Sequence, residues 1–325
     1  MPTRRTLIAA FIAPLLAGPT TALFAQAGDY PSRPITLVAP FPAGSVTDAV
    51  TRVIANALTQ SLGKPVIVEN KAGAQGTIGA AYVAKAKPDG YTLLMGSSVM
   101  FVANNLFKEL SYDPVKSFTP VANVGSTAMI FLVSQSSPYK TIADLAAAQR
   151  TAKQPISMAY GSPSGQVAVA LFSSITHSEP IAVSYRGIPQ ALTDMIGGQV
   201  QVAVVDIGSG MAQINGQKAR ALAISSAMRY EGAPGVPTLQ EAYPGASSSL
   251  ETLIAVMAPA GTPTSVVATL DAAIRSAMAT TPVKAQFQVL NTQVMPLTGP
   301  QLDARIRADN PRWEELMKKA GIELQ

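Results

Sequence analysis

The sequence predicts an α/β protein of two domains, each with a doubly wound sheet, closed together as a clamshell. Three observations carry that prediction. Short β-branched apolar runs alternate with helically spaced segments from Pro34 onward, and such alternation implies parallel strands joined by helical crossovers. The same grammar starts again near Met129. After Pro263 the chain is mostly helical, with too few strands for a third sheet, so the economical solution returns those helices to the first domain. The chain then crosses between domains twice, near Met129 and near Leu253, and two crossings make a hinge. The expected division is a signal peptide over 1–27, a first domain from 28–128 with 253–325, and a second from 129–252.

Each element has its own reason. Pro34-Ile35-Thr36-Leu37-Val38-Ala39-Pro40 is a short β-branched run closed by proline and reads as a buried strand. From Asp48, the residues Val50, Val53, Ile54 and Leu58 recur at helical spacing, and Gly63 stands where a C-cap glycine belongs. Residues 65–68 then read as a strand, 77–87 as a helix and 91–95 as a strand. In the middle of the chain the strands are 129–133, 156–159, 181–185, 200–205 and 219–225, with helices over 166–174 and 191–197. Residues 253–258 give one more strand before the turn Pro259-Ala260-Gly261-Thr262-Pro263. Helices over 265–280, 283–290 and 301–321 complete the chain, the last with Ile306, Trp313 and Leu316 on its apolar side.

Composition narrows the function. With 325 residues, 48% hydrophobic and 13% charged, the chain has apolar material for a large core. It has no cysteine and one histidine, His177, so disulfides, thiolate metal sites and most imidazole-based catalytic constellations are out of reach. No metal and no cofactor is expected. No lysine or arginine cluster with interleaved aromatics is present, so nucleic acid is not an expected partner. At the N-terminus, Arg4 and Arg5 precede an apolar stretch from Leu7 to Ala17, and Ala25-Gln26-Ala27 places small residues where a signal peptidase reads. Cleavage after Ala27 is expected, with the secretory and twin-arginine routes both open and the protein delivered to the periplasm. The apolar run is too short for a membrane anchor and is broken by Pro14 and Pro19. Losing Arg4 and Arg5 leaves a formal charge of +3, enough to attract small anions.

Four loops offer binding chemistry. The first is Pro40-Phe41-Pro42-Ala43-Gly44-Ser45-Val46-Thr47-Asp48, between a strand and a helix, at the sheet edge where ligands of α/β proteins bind. Small residues let a ligand approach the backbone there, and the helix start supplies free N–H groups suited to a carboxylate. The alternative is a capped turn with Thr47 or Asp48 as N-cap. The second loop, Asn70-Lys71-Ala72-Gly73-Ala74-Gln75-Gly76-Thr77-Ile78-Gly79, holds the same position one unit later. Its G-x-x-G-x-x-G spacing is neither a dinucleotide fingerprint nor a Walker loop. Across the chain stand Tyr160-Gly161-Ser162-Pro163-Ser164-Gly165-Gln166 and Tyr185-Arg186-Gly187-Ile188-Pro189. Arg186 suits a second carboxylate, or else is a solvated turn residue. Asp206, after the 200–205 strand, either accepts from a ligand hydroxyl or amine or caps the following turn. A hydrolase is a weak reading, because GSPSG puts its serine one place late for a nucleophile elbow and His177 falls beyond a helix end.

Together these residues resemble the Bug receptors, the extracytoplasmic solute-binding components of tripartite tricarboxylate transporters. The resemblance runs along the mature chain: Tyr30-Pro31-Ser32-Arg33-Pro34-Ile35, Pro40-Phe41-Pro42-Ala43-Gly44 with Thr47-Asp48, Val68-Glu69-Asn70-Lys71 with Gly73-Ala74, and Pro88-Asp89-Gly90-Tyr91-Thr92-Leu93-Leu94. It continues through Tyr112-Asp113-Pro114, Tyr185-Arg186-Gly187, Gly197-Gly198-Gln199-Val200, Ala258-Pro259-Ala260-Gly261-Thr262-Pro263 and Ala320-Gly321-Ile322. It implies a type II, Venus-flytrap periplasmic binding protein, a monomer and not an enzyme, that closes on a small organic carboxylate or dicarboxylate and delivers it to integral membrane transporter subunits. It further implies that Phe41 to Asp48 and Gly73 to Gly76 grip one carboxylate, partly through water. Ser97, Ser98, the Ser162–Gln166 loop, Tyr185, Arg186, Gly187 and Asp206 would form the remaining wall. Three departures from the family pattern, Ser45-Val46, the apolar Val99-Met100-Phe101-Val102 and Leu253, point to a more apolar ligand end, aromatic or branched. A ligand-presenting adaptor for a signalling receptor is the alternative from another class.

Overall fold

The computed structural model describes residues 30–151, 154–244, 249–319 and 321–322; the expected signal segment lies outside them. In chain order the elements are β1 (Ile35–Ala39), α1 (Val46–Leu62), β2 (Val66–Asn70), α2 (Thr77–Ala84), β3 (Thr92–Ser97), α3 (Ser98–Phe101) and β4 (Phe118–Ser134). Then come α4 (Ile142–Thr151), β5 (Ser157–Tyr160), α5 (Pro163–Thr176), β6 (Ile181–Ser184), α6 (Ile188–Ile196), β7 (Val202–Asp206), α7 (Ile207–Asn215), β8 (Ala219–Ile224) and α8 (Leu239–Ala242). The chain closes with β9 (Glu251–Pro259), α9 (Thr264–Ala279), α10 (Thr281–Val289), β10 (Gln293–Thr298) and α11 (Gly299–Lys319).

Two sheets share one strand. The first runs β2-β1-β3-β9-β4-β10, with β2, β1 and β3 parallel and β9 antiparallel to both neighbours. The second runs β6-β5-β7-β4-β8, with β6, β5 and β7 parallel. The 17-residue β4 pairs with β9 as far as Ala128 and with β7 and β8 from Met129 onward. At the crossing, Ser225 is fully buried: its hydroxyl accepts from the Met129 N–H at 2.9 Å and donates to the Leu250 carbonyl at 2.6 Å. That side chain ties both crossing segments together.

Burial on both sheet faces explains the continuous apolar runs. In the first sheet, Leu37, Leu93, Met95 and Val256 point at α1, α9 and α10, while Val38, Leu94, Ala255 and Met257 point at α2, α3 and the first half of α11. In the second, Phe131 and Val133 pack on α4 and α5, and Ile130 and Leu132 on α6 and α7. The sequence expectation put every C-terminal helix on the first domain. The second half of α11 instead packs Trp313, Leu316 and Met317 into the core around Phe131 and Phe172, so this helix touches both cores.

One strand and half of another are absent from the sequence reading. The first half of β4 carries Pro120, Asn123 and Gly125, which read as breakers; β-bulges at Pro120/Ala122 and Asn123/Gly125 absorb them, and Asn123 Nδ2 donates to the Met295 carbonyl at 2.7 Å. Edge strand β10 contains Pro296, tolerated because β10 pairs only with β4.

Candidate functional site

The two sheets face one another across a cavity of about 310 Å³. One wall comes from the first sheet and its loops: Phe41, Val46 and Thr47 before and at the start of α1, Gln75 before α2, and Ser97 at the end of β3. The opposite wall is Ser162, Pro163 and Ser164 at the start of α5, Ile188 at the start of α6, and Asp206 with Gly208 at the start of α7. Thr127, Met129, Thr252, Ile254 and Leu290 close the cavity beside the crossing strands.

The first loop is shaped by residues that stay out of the cavity. Ser45, and not Thr47 or Asp48 as expected, is the N-cap of α1, accepting from the Asp48 N–H at 3.2 Å. Asp48 is buried, and its carboxylate accepts from the Gly44 N–H at 2.9 Å, Arg52 Nε at 3.1 Å and Asn70 Nδ2 at 2.8 Å. Burial works to raise its pKa, but the hydrogen bonds from Arg52, Asn70 and Gly44 and the Arg52 charge outweigh it and hold the group below the usual carboxylate range. Asn70 also donates to the Phe41 carbonyl at 3.1 Å, which fixes the first loop to the end of β2. Asp48, expected to help grip a carboxylate, stands behind the cavity and does not line it. Pro42, Ala43 and Gly44 are exposed and do not line the cavity.

The second loop is a tight left-handed passage, with Gly73, Ala74, Gln75 and Gly76 all at positive φ. At Gly76 (φ 94°) a Cβ would meet Met100 Sδ at 3.2 Å and Phe41 Cζ at 3.4 Å, so glycine lets the loop lie on both side chains. The turn carries Gln75 to the cavity lining, and its Oε1 is buried with no hydrogen-bond partner in the protein. Gly73, Ala74 and Gly76 supply the turn and do not line the cavity.

On the opposite wall, Ser162 caps α5, accepting from the Gly165 N–H at 3.2 Å. Gly161 lies against the loop before α6: a Cβ there would come within 2.4 Å of the Gly187 and Ile188 backbone. Asp206 caps α7, the second of its sequence readings, accepting from the Ser209 N–H and Oγ, each at 2.8 Å, and it also lines the cavity. The remaining expected wall residues stand elsewhere. Ser98 Oγ accepts from the Leu253 N–H at 2.8 Å, Gly165 packs behind the helix start, and Gln166 lines an outer groove with His177 and Lys319. Tyr185 donates to Asp194 at 2.7 Å, a bond that raises its phenol pKa; Arg186 is exposed, and Gly187 is the N-cap position of α6.

Of the three departures in sequence, Val46 is the one that lines the cavity among the residues whose side chains are described. Met100, Phe101, Val102 and Leu253 are buried in the cores behind it. The strand residues Thr127 and Thr252, opposite one another in the β4–β9 register, escaped the sequence reading because nothing marks a strand residue as facing a cleft until the second sheet is placed. Among the described residues no group of side chains is arranged to hold a metal, and no helix is long and apolar enough to cross a membrane.

A ligand-sized cleft between two α/β halves joined by crossing strands defines a solute-binding protein of the periplasmic type. The chain belongs to the tripartite tricarboxylate transporter receptor family: the family described as "Tripartite tricarboxylate transporter family receptor" matches residues 50–322. It is a periplasmic solute receptor and not an enzyme. It is similar to protein BugT of Bordetella pertussis, 31% identical over 305 residues, which cover 92% of this chain and 93% of that protein. Among solved structures it is similar to the periplasmic binding protein BugD, 32% identical with a TM-score of 0.72, over 91% of this chain and 100% of that one. It is also similar to an R. palustris protein solved with adipate, 28% identical with a TM-score of 0.77, over 91% of this chain and 100% of that one.

Proposed function

We propose that this receptor captures a small organic carboxylate in the cleft and hands it to the integral membrane subunits of a tripartite tricarboxylate-type transporter. The observation that carries the reading is a ligand-sized cavity walled by helix starts from both sheets, with Gln75, whose amide oxygen is buried without a hydrogen-bond partner, among its lining residues. A buried polar group without a partner is costly, so the Gln75 amide gains by turning to meet a ligand or its water. A carboxylate suits the α1 start, where free N–H groups and the Thr47 hydroxyl stand beside Gln75 and the amide can turn its NH2 inward. The adipate held by the R. palustris relative supports the ligand class.

The proposed contact set is Phe41, Thr47, Gln75, Ser97, Ser162, Ser164 and Asp206, with Val46, Met129, Ile188 and Leu290 as its apolar lining. The handover of β4 from β9 to β7 at Ala128–Met129 supports domains of 28–128 with 253–325 and of 129–252. A single chain supplies both walls, which supports action as a monomer. Residues 1–27 are read as a cleaved export signal. Isothermal titration with aliphatic and aromatic carboxylates, beside their neutral amides, tests the reading. Carboxylates are expected to bind and amides not; binding of the amides alone overturns it.

A further inference from the structure

Among the described residues lining the cleft, Asp206 is the one with a charged side chain, and no lysine, arginine or histidine stands with it. Arg186 is exposed outside the cavity, and Arg52 is engaged by Asp48 and Asn70 behind the opposite wall. The hydroxyls of Ser162 and Ser164 bring donors to the second wall but no charge. Each Asp206 oxygen accepts one hydrogen bond from Ser209, and a carboxylate oxygen has room for a second.

We infer that the cleft selects monocarboxylates whose far end donates a hydrogen bond, a hydroxyl, amide or amine, and rejects dicarboxylates of the same length. This rests on the carboxylate reading above, with the ligand's acid end at the Thr47–Gln75 wall. Its far end then meets Asp206. A donor there completes the open acceptor positions of Asp206. A second carboxylate brings like charge against like charge in a site walled by Val46, Met129, Ile188, Ile254 and Leu290, with no cation to offset it.

Titration calorimetry of the full chain with diacids of four to eight carbons, and with the ω-hydroxy and ω-amino monoacids of the same lengths, tests this. At its best length a monoacid is expected to bind about 30-fold more tightly than the matching diacid, the scale of a like-charge contact. Asp206→Asn keeps a good N-cap for α7 and is expected to bring the two within about threefold of each other, chiefly by strengthening the diacid. Equal affinities in the wild type, or a gap unchanged in Asp206→Asn, overturn the inference while leaving the carboxylate reading in place. Binding of neutral amides or diols alone, or of nothing in the panel, defeats that reading and this inference with it.

Discussion

The Asp48 carboxylate gathers hydrogen bonds from the Gly44 backbone, Arg52 and Asn70, and so joins the first loop, α1 and the end of β2 without entering the cleft. Asp48→Ala leaves the Asn70 amide and the Gly44 N–H with lost partners, and is expected to cost about 1–3 kcal/mol of stability. Urea unfolding measures that loss, and calorimetry should show weaker carboxylate binding as Phe41 and Thr47 lose their anchor. The sequence offered Asp48 as part of the carboxylate grip, and the structure places it behind the cavity lining. Its position one turn into a helix was legible; that Asn70, 22 residues on, would reach back to it was not. Gln75 was legible in the same limited way. Its place in a glycine-rich loop drew attention, but three dimensions were needed to find its oxygen buried without a partner.

At the scale of elements, the strand-to-helix loops were readable as loops, but helices α1, α5 and α6 begin earlier than the apolar spacing indicates because the caps lie inside those loops. Ser162 is the clearest instance, capping α5 where Pro163 sets the first turn, ahead of the expected start at 166. Ser162→Ala is expected to destabilise by about 1 kcal/mol through loss of the cap and to weaken ligand binding as well; chemical denaturation and titration separate the two effects. The strand segments that escaped prediction share a cause. The first half of β4 and all of β10 carry Pro120, Gly125 and Pro296, which are local signals against a strand, and only tertiary pairing with bulges overrides them. The cleft-facing Thr127 lies within that same stretch of β4, so part of the site was hidden with the strand that holds it.

The whole molecule turns on the region where β4 passes from one sheet to the other. Glu251 sits there, buried, opposite Ala128, with Ser126 Oγ at 3.4 Å and Arg305 Nη2 of α11 at 3.4 Å; Arg305 also donates to Asp309 at 2.6 Å. Burial pushes the Glu251 pKa up, and Arg305 only partly offsets it. A carboxyl with a raised folded-state pKa contributes stability that is fully present below its unfolded value and is lost as pH rises through the folded one. Glu251→Gln removes that dependence, so the variant's melting temperature relative to wild type should climb as pH rises from about 4 to 7. A difference that stays flat across this range would show Glu251 titrating normally.

The path of α11 has an experimental consequence. Its Trp313 is the sole tryptophan of the chain, buried at 3% exposure in the second core, on the same helix that places Leu302 and Ile306 in the first. The protein thus carries one intrinsic fluorophore, free of background from any other indole, on the strap that spans its two halves. Its emission can follow cleft closure and global unfolding in the unlabelled receptor, with no engineered dye to disturb either.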